Sequence, residues 1–243
     1  MLGISPIDQF KVQTIGGNIY IAGVNISFTN SALFMVLAAV LVILFFYLSL
    51  KNINVVPSKL QMVSELSYDF VAHIAKENIG DKAKVFFPFI FSIFMFILFG
   101  NLLGTIPYSF AFTSQIIITF SIALLMLTVA TIYGIIKHKS KFFKVFIPSG
   151  LPFYLIPFMA VLEFISYFAK ALSMGIRLFA NIMAGHIIIE IFAGFIIALG
   201  IFGIIPLSFT IILYAFELMI ACIQAYIFTI LTCLFLEQVI NLH

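Results

Sequence analysis

The sequence predicts an all-α, polytopic membrane protein: about five membrane helices, one amphipathic helix at the surface, and a last pair of helices forming a long tilted hairpin. Three observations lead there. Of the 243 residues, 64% are hydrophobic and 9% charged, against about 45–50% and about 25% in an ordinary soluble domain. Several uncharged runs reach the roughly 20 residues needed to cross about 30 Å of hydrocarbon. The breaks between those runs carry Gly, Pro and most of the lysines. A water-soluble globular fold is thereby excluded. Nucleic-acid binding is excluded too, because the net charge is only +3 and most of the basic residues lie in loops.

Residues 1–30 form an N-terminal segment of mixed polarity, with no basic stretch leading into a short apolar core, so no cleavable signal is expected. Residues 31–50 are uncharged, end at Lys51 and make one crossing. In 57–84, Glu65, Asp69, Glu77, Asp81 and several lysines alternate with Leu60, Val63, Leu66 and Phe70. That spacing of three to four fits an amphipathic helix lying at the surface. Residues 85–136 are uncharged but interrupted by GNLLGTIPY at 100–108 and by Thr113, Ser114 and Gln115. They read as two crossings, 86–108 and 115–136, and the GxxxG of Gly100 and Gly104 would let another backbone approach closely. A basic loop with Lys137, Lys139, Lys141 and Lys144 follows, then Pro148, Pro152 and Pro157.

Two long apolar helices complete the chain, 155–199 and 207–240, separated by Gly200, Gly203 and Pro206. Each exceeds the roughly 20–25 residues of a perpendicular crossing, so strong tilt is expected. The whole is read as a single membrane domain. Lys51, Lys59, Lys76, Lys82, Lys84 and the basic loop fall on one side of it, the side the positive-inside rule assigns to the cytoplasm or its organellar equivalent, with the N-terminus opposite. Cys222 and Cys233 have neither disulfide density nor metal-ligand spacing and are read as packing residues.

An ionisable group within an apolar helix costs about 2.5–3.5 kcal/mol on insertion scales. The first three crossings have none, whereas the last two helices contain Glu163, Lys170, Arg177, His186, Glu190 and Glu217, with Gln224. At 100° per residue, Glu163, Ser166, Lys170, Ser173 and Asn181 all fall within about 40° of Arg177, so one face of the helix is a polar stripe. His186 lies on the opposite face with Glu190 one turn beyond, while Glu217 and Gln224 share a face of the last helix and could meet the His186 track across a hairpin. Any one of these taken alone is as readily an interhelical hydrogen-bonding group; six on one face are an expensive way to pack helices. Arg177, the only arginine in the chain, stays charged at every accessible pH. Glu163 is about 21 Å away along the axis, so a carboxylate from another subunit is the natural partner.

The run SMGIRLFANIMAGH at 173–186 resembles the signature of subunit a of the F-type ATP synthase, alphaproteobacterial and mitochondrial type. The likeness extends to NLLGTIPYS at 101–109, PSGLP at 148–152, LEFIS at 162–166, and Glu217 followed by IQAYIFT at 223–229. The resemblance implies a proton-translocating stator with two offset half-channels serving a rotating ring of c subunits. Arg177 would face the ring and attract its ionised carboxylate. Asn181, His186, Glu190, Glu217 and Gln224 would line the proton-intake half-channel, and Glu163, Ser166, Lys170 and Ser173 the proton-exit half-channel. The implied partners are the c ring, the b subunits of the peripheral stalk, other synthase subunits and the bilayer, with no cofactor, no metal and no bond chemistry of its own.

Two positions depart from the family pattern. Ala171 replaces an expected Pro, leaving a local kink open; Glu190 adds an acid that is either a relay group or a water-solvated carboxylate. The His186–Glu217 combination favours protons over sodium. Low Arg, absent Trp and high Phe fit an AT-rich genome, bacterial before mitochondrial, and both imply an energy-transducing inner membrane. A secondary transporter would show paired halves, and the sequence has no internal repeat. A haem-bearing redox subunit would need paired axial histidines, yet of His73, His138, His186 and His243 only His186 lies deep in a membrane run.

Overall fold

The computed structural model describes residues 10–15, 17, 20, 21, 24, 25, 27–51, 53–106, 109–146 and 152–240. In chain order these form β1 (Tyr20–Ile21), β2 (Val24–Asn25), α1 (Asn30–Leu50), α2 (Lys59–Ile79), α3 (Ala83–Gly104), α4 (Ile116–His138), α5 (Ile156–Leu199) and α6 (Ile204–Ile240). The architecture is all-α, with β1 and β2 only a two-residue antiparallel ladder. Asn30–Leu50, Lys59–Gly104, Ile116–His138 and Ile156–Ile240 are long and apolar enough to cross a membrane. Large apolar side chains are widely exposed, Ile43 at 68%, Ile117 at 77% and Ile197 at 84% among them. That is the reverse of a soluble fold and is what a lipid-facing surface requires. The chain is a multi-pass membrane protein.

Local chemistry sets the boundaries. Gly80 takes the left-handed φ of +74°, ending α2 and allowing a tight turn, Gly80–Lys82, into α3. The apolar row Leu60, Val63, Leu66 and Phe70 of α2 points outward, and Gln61, Ser64, Ile74 and Ala75 of the other face are buried. The expected crossing 86–108 corresponds to α3, which stops at Gly104; Pro107 and Tyr108 lie outside the described residues, as do 1–9 and the 148–151 part of the PSGLP run. Gly200, at φ +53°, opens the turn Gly200–Gly203 between α5 and α6. A Cβ at Gly203 would lie 2.6 Å from the Ile196 carbonyl oxygen, so this turn requires glycine. Helix α5 is unbroken through Ala171 and, with 44 residues, spans about 66 Å, far beyond one perpendicular crossing.

The chain divides into two compact units. The first comprises Met1–Ser64, Met95–Gln115 and Leu178–Ala225. Its centre is the end of α3: the Phe112 ring lies on the backbone of Gly100, and Ala111 Cβ would stand 2.9 Å from a Cβ at Gly104. The GxxxG therefore admits the chain's own next segment. Residues 10–15 run beside 28–30 as a strap. Ile15 N donates to the Phe28 carbonyl at 2.7 Å, Asn30 N to the Gln13 carbonyl at 3.0 Å, and Asn30 Nδ2 to the Lys11 carbonyl at 3.2 Å.

The second unit comprises Glu65–Phe94, Ile116–Arg177 and Tyr226–His243. Tyr167 packs edge-on to Phe146 and Phe235 and its hydroxyl pairs with Thr131 at 2.9 Å. Gly134 lies beneath Val239 and Phe142. Lys137 Nζ reaches the Ile240 carbonyl at 3.4 Å, a cation at the negative end of α6.

Candidate functional site

The polar stripe as far as Arg177 belongs to the second unit, while Asn181, expected on the same face, falls in the first. The α5 face carrying Tyr167, Ala171 and Met174 is buried, which leaves Ser166, Lys170, Ser173 and Arg177 exposed on the other side. Those four line an open groove of about 440 Å³, walled by Ile227, Ile230 and Leu231 of α6. Glu163 stands 4.0 Å from Lys170 Nζ, both partly exposed, a pair worth little on its own. Among the described residues Arg177 makes no hydrogen bond or ion pair. The stripe is a cationic, hydroxyl-lined face.

Its placement depends on Gly175. A Cβ there would stand 3.0 Å from Phe120 Cα and 3.2 Å from Phe120 N, so α4 and α5 meet backbone to backbone two residues before Arg177. Gly175→Val forces the helices apart and shifts Arg177; a displacement near 1 Å costs a reaction about 10²-fold. The activity that depends on Arg177 is expected to fall by about that factor, less in Gly175→Ala. Normal turnover in Gly175→Val would show that this close approach does not position Arg177.

The second polar group belongs to the first unit. Glu217, 4% exposed, projects from α6 against the backbone of α5, where a Cβ at Gly185 would stand 3.1 Å from its Oε1. His186 Nε2 lies 3.5 Å from the same oxygen, within ion-pair range yet without hydrogen-bond alignment. Asn181 and Glu217 line a cavity of about 200 Å³ otherwise walled by apolar groups such as Ile188, Leu213 and Phe216. Gln224, 2% exposed, lies two turns along from Glu217 on α6. Glu190 is half-buried, makes contacts of its own, and does not line this cavity.

Three contributors escaped the reading of the sequence. Asn101 of α3, fully buried, donates from Nδ2 to the Ala221 carbonyl at 3.2 Å, between Glu217 and Gln224. Its signal was an amide inside an apolar run. The Gly104 backbone carbonyl accepts from the His186 imidazole. The Phe10 ring stands edge-on to that imidazole, centroids 5.9 Å apart at 77°, and nothing local in the sequence marks it. Asn101 Oδ1, Gln224 Nε2 and both Glu217 oxygens are buried without hydrogen-bond partners among the described residues. Buried polar atoms of this kind are satisfied by ordered water, so the group suits a hydrated path with two titratable stations, Glu217 and His186. Among the described residues no cluster of three or more His, Cys, Asp or Glu is placed to hold a metal ion.

The family model described as "ATP synthase A chain" matches residues 32–237. "ATP synthase subunit a" of Pelagibacter ubique (strain HTCC1062) is 47% identical over 243 residues, 100% of each chain.

Proposed function

The chain belongs to the ATP synthase A chain family, the proton-translocating stator subunit of the F-type synthase, and from that premise we propose how its two polar groups divide the work. The group of Asn181, His186, Glu217 and Gln224 is the intake half-channel, with Glu190 at its margin. The groove of Ser166, Lys170 and Ser173, with Glu163, is the exit half-channel. Arg177 separates them and faces the c ring. The observation that carries this reading is the exposed stripe leading to an arginine that makes no ion pair among the described residues.

A proton crossing 100 mV releases about 2.3 kcal/mol, which is harvested only if no direct path exists. A proton arriving past Glu217 and His186 neutralises a ring carboxylate. Only the neutral acid passes into lipid, because an ionised one carries a large transfer cost. After nearly a full turn the acid meets the exit groove, ionises, and its proton leaves past Ser166 and Glu163. Arg177 favours the ionised carboxylate and repels protons that would hop between the channels. The His186–Glu217 combination supports protons as the ion. The c ring, the b subunits of the peripheral stalk and the bilayer are the partners, in an energy-transducing inner membrane with the lysine loops on the cytoplasmic side.

The test is cross-linking in the assembled synthase. With Cys222 and Cys233 replaced by Ser, a cysteine at Ser166 or Ser173 is expected to form a disulfide with a cysteine on the ring subunit's carboxylate-bearing helix. One at Ile165, 57% exposed but about 100° from Ser166 around α5, is expected to form none. Cross-links from Ile165 and not from the stripe would assign the ring to another face.

A further inference from the structure

We propose that Phe10 is a positioning residue for proton intake: held by the N-terminal strap, its ring fixes the His186 imidazole so that Nε2 faces Glu217. The proposal rests on the intake reading above and adds to it a residue 176 positions away in sequence. An imidazole relays a proton by receiving it on one nitrogen and releasing it from the other, so the ring's plane and flip state decide whether it works. The torsion that sets them is broad and roughly two-fold; the ring must be held from outside.

Three contacts hold it. Nε2 lies 3.5 Å from Glu217 Oε1 and has no hydrogen-bond partner, so the Gly104 carbonyl is served by Nδ1. A flip would exchange these two faces. The third contact is the edge-on Phe10 ring, with 5.9 Å between centroids, in the arrangement aromatic rings prefer. Phe10 is itself anchored in two ways. Its carbonyl accepts from Gln115 Nε2 at 2.9 Å, just beyond the turn Phe112–Ser114. The residues after it are tied to the start of α1 through Lys11, Gln13 and Ile15, with Gln13 N donating to Asn30 Oδ1 at 3.1 Å. A side chain so anchored confines its neighbour at little further entropic cost.

The experiment uses the assembled synthase in liposomes and reads ATP synthesis at saturating proton gradient, per complex. Phe10→Ala and the bulk-conserving Phe10→Leu are each expected to slow turnover about two- to tenfold, the value of an aromatic pair, with the assembled amount unchanged. Phe10→Tyr, which keeps the ring, is expected to retain the wild-type rate, and Gln115→Ala to slow it in the same direction. In a His186→Ala background Phe10→Ala is expected to add nothing, because it acts through that ring. Wild-type turnover in Phe10→Leu, or a full additional loss in the His186→Ala background, overturns the proposal. If His186→Ala is slow while Phe10→Ala runs normally, this inference alone falls. If His186→Ala runs normally, the intake reading falls with it.

Discussion

Arg177→Ala is expected to abolish proton-driven ATP synthesis while leaving the synthase assembled. The two halves of that expectation have separate physical grounds. Arg177 is exposed and makes no ion pair or hydrogen bond among the described residues, so its removal opens no cavity and strands no buried partner. Substitutions of that kind change stability by no more than about 0.5 kcal/mol. Function depends on what the guanidinium does to a ring carboxylate. At about 4 Å and an effective dielectric near 20, the attraction is about 4 kcal/mol, or about 10³-fold in the ionisation step. The side chain also blocks direct hopping, so passive proton conductance should rise in Arg177→Ala membranes stripped of the catalytic sector. Lys at this position keeps the charge but loses the planar fork and the reach, and little recovery is expected from it. Synthesis at the normal rate in an assembled Arg177→Ala complex would remove Arg177 from the mechanism.

Periodicity carried much of this into view from sequence, and its limits are physical. A charge in an apolar helix is costly wherever it points, so Arg177, Glu217 and His186 were visible without any partner in sight. The stripe was visible as well, because Ser166, Lys170, Ser173 and Arg177 recur with the helical period and helix α5 is unbroken. That Glu217 lies against Gly185, or that Asn101 reaches the Ala221 carbonyl, depends on how helices cross, and periodicity within one helix holds no information on crossing. The GxxxG shows the same limit. Gly100 and Gly104 announced a close approach, but only tertiary structure supplies its occupants, Phe112 and Ala111. Phe10 was invisible: one of 31 phenylalanines, it acquires meaning from a strap whose hydrogen bonds run to residues 13–19 positions away.

Glu217→Gln should cut ATP synthesis by about 10²-fold or more, the range lost when a positioned proton-transfer group is removed, with stability preserved or raised. The carboxylate is 4% exposed, and neither oxygen has a hydrogen-bond partner among the described residues. Its nearest titratable neighbour among the described residues is His186, 3.5 Å away. A buried carboxyl so poorly satisfied contributes nothing to folding that an amide of the same shape would not, because an ionised group without hydrogen bonds costs more to bury than a neutral one. Gln retains the volume that fills the space over Gly185 but can neither take up nor release a proton. Glu217→Asp separates geometry from chemistry. It keeps the acid but withdraws it by one methylene from His186, a shift near 1 Å that also costs about 10²-fold, with the shape at Gly185 relaxed. The measurements are thermal stability of the assembled complex and synthesis per complex. Loss of stability in parallel with activity would make Glu217 a structural residue. Turnover lost at unchanged or higher stability is the signature of a carboxyl held in an unfavourable setting by the reaction it serves.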